Sequence, residues 1–455
     1  MNERSIRTVA VIGDGIAGWL AVCALATRLP HCSVAIIRVE NMREGMADLF
    51  GATTPAASEF HSDIGLDEQL LLRRAGAVAR LGTRFSGAGF PEPTLLGYDR
   101  VGAGIGSGHF ASVWPEFPDV GSYASFSPAA QLAANRKLPS QDPIFSTVGA
   151  GLQLDPLGYR AFLAAFGQHC GVRIAKAPMQ KANIEGQRIA SISLSDGTEL
   201  RADLYINAAN GAAKLFPEWG AEREDWTHWL PFSQVSIEEA PQHSDTIATC
   251  DNCEATADGW RTETELPRVI RRARIWAGDG HSSAPLSFPA GRVIQPWIGN
   301  AVSIGDAHGM ISPIAALPLH ILYTQIDRII ASLPDREYAR CEIDYYNHEA
   351  NAELDRLRDF AIALHLPWLE RQELPTELTE LISLFRERGR ILLRDGEGFS
   401  RDIWSTLLFG LGFSPRRSDM LAVAAPPEHV RQEMRHFLAQ LEAATQRAPV
   451  QKVQK

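Results

Sequence analysis

The feature that most constrains this fold is a glycine turn near the start of the sequence, in VAVIGDGIAGWLAVCAL. Gly13, Gly15 and Gly18 form a GxGxxG pattern that follows a predicted strand ending at Ile12 and opens a predicted helix. The first glycine of such a turn permits a tight bend, the second lets a pyrophosphate approach, and the third lets helix and strand pack closely. The free N–H groups of the helix start favour phosphate. We therefore predict a dinucleotide site here, with Ala17 of the first helical turn beside it.

The residue that contacts the adenosine ribose is less clear from the sequence. An acidic residue about 20 positions beyond the turn takes this role in dinucleotide folds. Glu40 lies close to that spacing, at the end of the second predicted strand. Arg38 is the alternative, since an arginine that points into the site would suit a 2'-phosphate. Either residue could instead belong to a solvated strand end, so the choice stays open.

A second segment, GNAVSIGDAHGMISP, narrows the choice of dinucleotide. It places Asp306 after a short apolar strand and before a predicted helix. In FAD enzymes of the glutathione-reductase and hydroxylase type, the carboxylate of such a Gly-Asp pair binds the ribityl chain of the flavin. An isolated Gly-Asp pair means nothing, but one that lies nearly 300 residues after an N-terminal GxGxxG turn favours FAD over NAD.

The order of the predicted elements indicates an α/β protein built on an FAD-binding, doubly wound Rossmann-type domain of the glutathione-reductase/hydroxylase type. We expect this domain within residues 1–330, with a β-rich substrate region inserted at approximately 60–150 and 215–295. Helical periodicity predicts a helical C-terminal unit over residues 331–445. The polar residues 446–455 are expected to form a disordered tail.

Charge and composition argue against several classes of function. The net charge of −10 and the isoelectric point near 5.8 do not suit a nucleic-acid surface, which needs clustered Lys and Arg. No apolar run approaches the roughly 18 residues that a membrane span requires. The six cysteines are scattered, so we expect a cytoplasmic protein without a disulfide framework. Cys250 and Cys253 form a CxxC pair without a second pair of ligands, so no metal site is predicted.

Several segments, taken in their order along residues 9–365, resemble the flavin-dependent tryptophan halogenase family. They are AGW, FHSDIGLDEQLLLRRAGAVARLGTRF, LDPLGYRAFL, DGTELRADLYINAANG, LPFSQ, GNAVSIGDAHG and DRLRDFAIALH. In that family a separate reductase supplies reduced FAD, which reacts with oxygen and a halide, and an essential lysine lies beside the substrate. The resemblance implies FAD, a flavin reductase as partner, and an aromatic or indole-like substrate that is free, part of a peptide or bound to a carrier.

The family's essential lysine corresponds to Arg80, in ARLG. A lysine can react as a neutral amine when burial lowers its pKa, whereas a guanidinium stays protonated and is a poor nucleophile. Arg80 is the candidate catalytic position, but it does not replace lysine in this chemistry. The alternative is an arginine that pairs with a nearby acid or phosphate.

The family's PLESTGIH segment corresponds to PIAALPLH, which begins at Pro313 and Ile314. These two residues keep the expected place beside the flavin. Ala315 stands where the family has a glutamate that positions the halogenating species. Leu317 and Pro318 match the residues whose backbone N–H groups hold the halide, and proline has no N–H. The resemblance therefore implies a damaged halide site.

Two further family motifs are altered. The WxWxIP signature, aligned on Pro267, has Thr262 and Thr264 in place of its tryptophans. An alignment on Trp260 instead requires two extra residues, so the signature is either absent or remodelled. GATTPA, which contains Thr54, resembles the family's flavin-side GEST or GEAT turn without the glutamate. Since several elements differ together, we predict an FAD-dependent oxidoreductase that hydroxylates or oxidises its substrate instead of halogenating it. A non-catalytic flavin- or ligand-binding protein and a halogenase with an altered site are the alternatives.

Overall fold

The computed structural model describes residues 4–106, 108–209, 222–278, 286–369, 372–420 and 426–453. Their contacts divide the chain into two compact units. As far as it is described, unit 1 comprises Met1–Ala77, Leu154–Thr227 and Pro289–Asp355, and unit 2 comprises Val78–Gln153, His228–Phe288 and Arg356–Lys455. None of the described helices is long and apolar enough to cross a lipid bilayer.

The α-helices of the described residues are α1 (Ile16–Arg28), α2 (Met46–Leu49), α3 (Ala56–Asp63), α4 (Glu68–Arg74), α5 (Phe110–Val113), α6 (Pro128–Ala134), α7 (Pro156–His169), α8 (Leu317–Ala331), α9 (Arg340–His365), α10 (Thr376–Arg388), α11 (Arg401–Gly410) and α12 (Pro427–Arg447). The strands are β1 (Thr8–Ile12), β2 (Ser33–Ile37), β3 (Val78–Arg80), β4 (Gly82–Gly87), β5 (Thr94–Gly97), β6 (Gly151–Gln153), β7 (Arg173–Ile174), β8 (Met179–Glu185), β9 (Arg188–Leu194), β10 (Glu199–Leu200), β11 (Leu204–Asn207), β12 (Arg223–Asp225), β13 (Gln234–Pro241), β14 (Asp251–Thr256), β15 (Gly259–Glu265), β16 (Val269–Trp276), β17 (Leu286–Ser287), β18 (Gly291–Val293), β19 (Trp297–Ile298), β20 (Ala301–Ser303) and β21 (Gly309–Met310).

Unit 1 contains the doubly wound sheet, with strand order β19-β20-β11-β1-β2-β7. β1 pairs in parallel with β2 on one side and with β11 on the other, so the strand order reverses at β1. Both β1 (TVAVI) and β2 (SVAII) are almost continuously apolar because helices cover such sheets on both faces. The predicted α/β fold is confirmed, and the glycine turn lies at the strand-order reversal, where ligands of doubly wound sheets bind.

Unit 2 is built on a seven-stranded sheet of order β17-β13-β16-β15-β14-β4-β5. Neighbouring strands of this sheet are antiparallel, except that β14 and β4 run parallel to each other. Helices α6, α11 and α12 belong to the same unit, with α12 packed on α6 and α11 on β5. Strands β3–β5 and β13–β17 of the predicted inserted region therefore form one compact unit with the helices that follow α9, whereas β12 and β18 belong to unit 1.

The prediction of a disordered C-terminal tail is wrong for residues 446–453. The N–H of Leu138 donates to the carbonyl of Pro449 at 2.9 Å. The side chain of Gln451 is 5% exposed, and its amide both accepts from the N–H and donates to the carbonyl of Ala79, each at 3.1 Å. A polar composition predicts solvation, but here the polar groups satisfy the backbone of a distant strand.

Candidate functional site

The glycine turn has the backbone geometry that the sequence predicts. Gly13 has a φ of 109°, which a residue with a side chain rarely adopts, and its N–H donates to the carbonyl of Ile37 at 2.9 Å. A Cβ atom at Gly18 would lie 1.9 Å from the Gly13 carbonyl oxygen. Gly15 caps the N-terminus of α1, and Ala17 is buried in the first turn. The glycines thus leave an open backbone cradle at the N-terminus of α1, as the GxGxxG pattern predicts.

A carboxylate occupies the mouth of this cradle. Asp48 accepts from the N–H of Ile16 at 2.8 Å through Oδ1 and from the N–H of Gly45 at 3.0 Å through Oδ2. Its Oδ2 lies only 2.7 Å from the place where a Cβ of Gly15 would be. A negative group therefore already interacts with the N-terminus of α1, where a pyrophosphate would bind.

Asp306 lies beyond β20, in the short 3₁₀ turn Gly305–Ala307, and is half-buried. Its Oδ2 accepts from the N–H of Met46 at 2.8 Å. Burial raises the pKa of Asp306 to about 7; the charge of Asp48 adds to the rise and the bond from Met46 opposes it. The structure thus brings Asp306 and the glycine turn together around one segment, residues 45–48.

The two candidate ribose contacts lie at the end of β2, where Val39 forms an isolated bridge with Met179. Both Arg38 and Glu40 are exposed. Their placement fits a solvated strand end as well as a ribose contact, so the alternative between them persists.

The segment before α8 carries the other predicted flavin contacts. Pro313 and Ile314 are buried, and Thr54 is also buried, with Oγ1 3.4 Å from Nδ1 of His320. Burial lowers the pKa of His320, which favours the neutral imidazole. All these residues are buried in unit 1, and the neutral histidine places no charge beside Thr54.

Ala315 and Ala316 follow in the left-handed conformation, with φ of 58° and 62°. Non-glycine residues occupy this region at a cost of about 1 kcal/mol or more each. The turn brings the N–H of Leu317 to the carbonyl of Ile314 at 3.3 Å. Of the two residues that the resemblance matches to the family's halide-binding N–H groups, Leu317 therefore has its N–H bonded already, and Pro318 has no N–H.

Arg80 lies at the end of β3 in unit 2, and its side chain is 1% exposed. Its Nε donates to Oδ1 of Asp251 at 2.5 Å, and its terminal nitrogens donate to the hydroxyls of Tyr98 and Thr83. The Thr83 hydroxyl also donates to Oδ2 of Asp251 at 3.1 Å. Burial disfavours the guanidinium charge, but Asp251 and Tyr98 outweigh it and raise the pKa of Arg80. Arg80 is a permanent cation paired with an acid.

Comparison with known proteins decides the family. The sequence model of the tryptophan halogenases matches residues 8–270 and 272–427. The chain belongs to the tryptophan halogenase family. Among curated relatives, it is 21% identical to tryptophan 7-halogenase KtzQ of Kutzneria sp. (strain 744) over 91% of each chain, and 21% identical to tryptophan 6-halogenase ThaL of Streptomyces albogriseolus over 79% of this chain and 76% of the relative.

Solved structures show the same fold. The flavin-dependent halogenase BrvH from Brevundimonas sp. BAL3 superposes with a TM-score of 0.90 at 23% identity, covering 98% of both chains. Xcc4156, a flavin-dependent halogenase from Xanthomonas campestris, gives 0.90 at 22% identity, covering 98% of this chain and 97% of the other. The predicted family resemblance is thus confirmed.

Thr262 and Thr264, which the alignment on Pro267 matches to the family tryptophans, lie on β15 and are half-buried. Two residues earlier, Trp260 is fully buried and donates through Nε1 to Nε2 of His365 at 3.2 Å. Nδ1 of His365 donates to the carbonyl of Ala361 at 2.8 Å, and burial lowers the pKa of His365 to about 4. This tryptophan is fixed by a neutral histidine inside unit 2.

Two other residues of types that are common in active sites, His308 and Cys250, are buried and neutral. Nδ1 of His308 lies 2.8 Å from the amide of Gln325, and burial lowers the pKa of His308 to about 3. Burial also raises the pKa of Cys250 to about 11, so this thiol is not ionised at neutral pH. Among the described residues, no cluster of three or more His, Cys, Asp and Glu side chains is arranged to hold a metal ion.

Sequence reasoning missed two acids of these sites, Asp48 and Asp251. Neither lies in a motif that predicts its role: Asp48 follows the glycine turn by some 30 residues, and Asp251, between Cys250 and Cys253, lies 171 residues from its partner Arg80. The signal that could have found Asp251 is the buried arginine itself, since a buried charge requires an opposite one.

Proposed function

We propose that this member of the tryptophan halogenase family binds FAD, receives it in reduced form from a separate flavin reductase, and uses oxygen to hydroxylate or otherwise oxidise its substrate instead of halogenating it. The Arg80 cluster carries this proposal. A lysine at that position can present a neutral amine, but the guanidinium of Arg80 is held as a cation by Asp251 and is covered by Tyr98 and Thr83.

The turn before α8 supports the same conclusion. A halide needs N–H groups that point to it and are not bonded elsewhere. The N–H of Leu317 is bonded to Ile314, and Pro318 has none. Ala315 adds no carboxylate that could position a halogenating species. The two elements that the family uses for halogenation in this segment, the halide-binding N–H groups and the glutamate, are therefore both altered.

The residues that would hold FAD lie together in unit 1. Gly13, Gly15 and Gly18 would face the pyrophosphate, and Asp306 would accept a hydroxyl of the ribityl chain. The buried segment at Pro313, with its neutral surroundings, suits an uncharged ring. When bound, the flavin would supply the electrons that activate oxygen.

An aromatic or indole-like substrate is proposed because the relatives ThaL and KtzQ are tryptophan halogenases. The assay decides whether the ring belongs to a free molecule, a peptide or a carrier-bound group, because all three classes of substrate are offered. The experiment combines the protein with FAD, a flavin reductase, NADH and oxygen, and offers indoles, tryptophan peptides and carrier-bound aromatics.

We expect mass spectrometry to detect products that have gained one oxygen atom. Reactions without the protein control for oxidation by free reduced flavin, and the Gly18→Ala variant controls for the cofactor site. A product that carries halogen, or no protein-dependent oxidation of any offered ring, contradicts the proposal.

Among the alternatives is a non-catalytic flavin- or ligand-binding protein, and one observation favours the form of it that binds a ligand other than flavin. Asp48 lies at the N-terminus of α1, against Gly15, where a bound pyrophosphate would repel it. Titration with FAD separates the two: a saturable 1:1 complex supports the oxidoreductase, and the absence of binding supports the alternative.

A further inference from the structure

One short segment, residues 45–49, bonds to both polar groups of the proposed cofactor site, the N-terminus of α1 and the Asp306 carboxylate. We propose that residues 45–49 form an intramolecular lock, in which the Asp48 carboxylate occupies the anion site of α1 and Met46 caps Asp306, so that FAD binds only by displacing this segment. The proposal rests on the proposed FAD binding and adds a control to it. The lock consists of Gly45 and the single turn α2.

In the first half of the lock, the Asp48 carboxylate occupies the place where a phosphate would bind. The Asp48 side chain is 9% exposed and bridges two backbone donors, Ile16 and Gly45, at 2.8 and 3.0 Å. A carboxylate in this place gains from the partial positive charge of the helix start as a phosphate does. Because Oδ2 lies 2.7 Å from the Cβ position of Gly15, the carboxylate covers the face that glycine leaves open. Asp48 and a pyrophosphate cannot share it.

The second half of the lock lies two residues earlier. The N–H of Met46 donates to Oδ2 of Asp306 at 2.8 Å and thereby occupies one oxygen of the carboxylate that would accept a ribityl hydroxyl. The N–H of Phe50 donates to the carbonyl of Met46 at 2.8 Å and closes the turn that holds Met46 and Asp48 together. The two contacts are therefore released together, and a ligand that displaces one loosens the other.

The lock predicts that removal of the carboxylate tightens FAD binding. Calorimetric titration with FAD and with ADP compares the parent chain, Asp48→Ala, Asp48→Asn and the control Glu44→Ala. Glu44 is an exposed acid in the same stretch of chain, so its removal changes the local charge without opening the site. We expect the dissociation constant of FAD to fall about tenfold in Asp48→Ala. We expect less in Asp48→Asn, which can still accept from Ile16, and a change below about twofold in the control.

ADP separates the two halves, since it carries the pyrophosphate but no ribityl chain. It should gain affinity from Asp48→Ala nearly as FAD does, because both nucleotides compete with the carboxylate. Hydrogen exchange gives an independent readout without turnover. In the nucleotide-free parent the amides of Gly45, Met46 and Ile16 should be protected, and FAD should release the first two while Ile16 stays protected.

The outcomes are distinguishable. Equal or weaker FAD binding in Asp48→Ala, with binding to the parent intact, overturns the lock but leaves the proposed function. Protection of Gly45 and Met46 that persists in the FAD complex overturns it as well. If neither the parent nor Asp48→Ala binds FAD while both retain the parent's circular dichroism, the proposed function fails and the lock fails with it.

Discussion

Replacement of Asp251 with asparagine removes the anion that compensates Arg80. The arginine is 1% and Asp251 8% exposed, so the guanidinium would remain buried without this anion, beside the neutral hydroxyls of Tyr98 and Thr83 and the new amide oxygen. Breaking a buried ion pair from one side costs about 3–5 kcal/mol, and the remaining acceptors place the expected loss at about 3 kcal/mol. Urea unfolding, followed by fluorescence, measures it as a lowered midpoint and a smaller free energy of unfolding.

The matched control is Asp258→Asn. Asp258 also pairs with an arginine, Arg274, at 2.6 Å, but their side chains are 56% and 55% exposed. An exposed pair contributes up to about 1 kcal/mol. If Asp251→Asn destabilises the protein no more than Asp258→Asn does, Arg80 does not depend on this acid and its assignment as a buried structural cation is refuted.

The described contacts support three further predictions. Because the pKa of Asp306 is raised to about 7, the folded protein holds this proton more tightly than the unfolded chain, and its stability falls as pH rises from about 4 to 7. Asp306→Asn should remove this pH dependence in urea unfolding and raise the free energy of unfolding by about 1–2 kcal/mol at about pH 8. The gain is modest because the half-buried side chain keeps some contact with water. A pH dependence that persists in the variant contradicts the assignment. Gly18→Ala, whose Cβ would lie 1.9 Å from the Gly13 carbonyl, should cost at least ~2 kcal/mol and abolish FAD retention on a desalting column, and normal retention contradicts the close approach. Trp260→Phe leaves Nε2 of His365 without its donor and should cost about 1–2 kcal/mol in the same unfolding assay, whereas an unchanged midpoint contradicts the bond.

The local parts of the fold were predictable because their signals lie close together in sequence. Gly13 and Gly18 are five residues apart, and the φ of Gly13 and the close approach of Gly18 are what the GxGxxG pattern requires. Asp306 lies far along the chain, but its Gly-Asp context follows a strand of the same sheet. The sheet and the backbone geometry of the glycine turn were therefore within reach of sequence reasoning.

The long-range parts were not predictable from one sequence. The chain enters and leaves unit 2 several times, so Arg80 meets an acid 171 residues away. Gln451 lies in a polar stretch that resembles a disordered tail, and its role, to bond the backbone N–H and carbonyl of Ala79, is visible only in the folded chain. Ala316 adopts a left-handed conformation that alanine itself disfavours, because its neighbours before α8 determine the turn.

The identity of the atom transferred to the substrate tests the central claim most directly. The assay supplies FAD, a flavin reductase, NADH, oxygen and saturating bromide to the parent chain with the aromatic ring that it oxidises best, and a known tryptophan halogenase serves as positive control. The paired Arg80 and the missing N–H of Pro318 predict a product that has gained oxygen and no bromine. A brominated product formed by the parent chain would contradict the account.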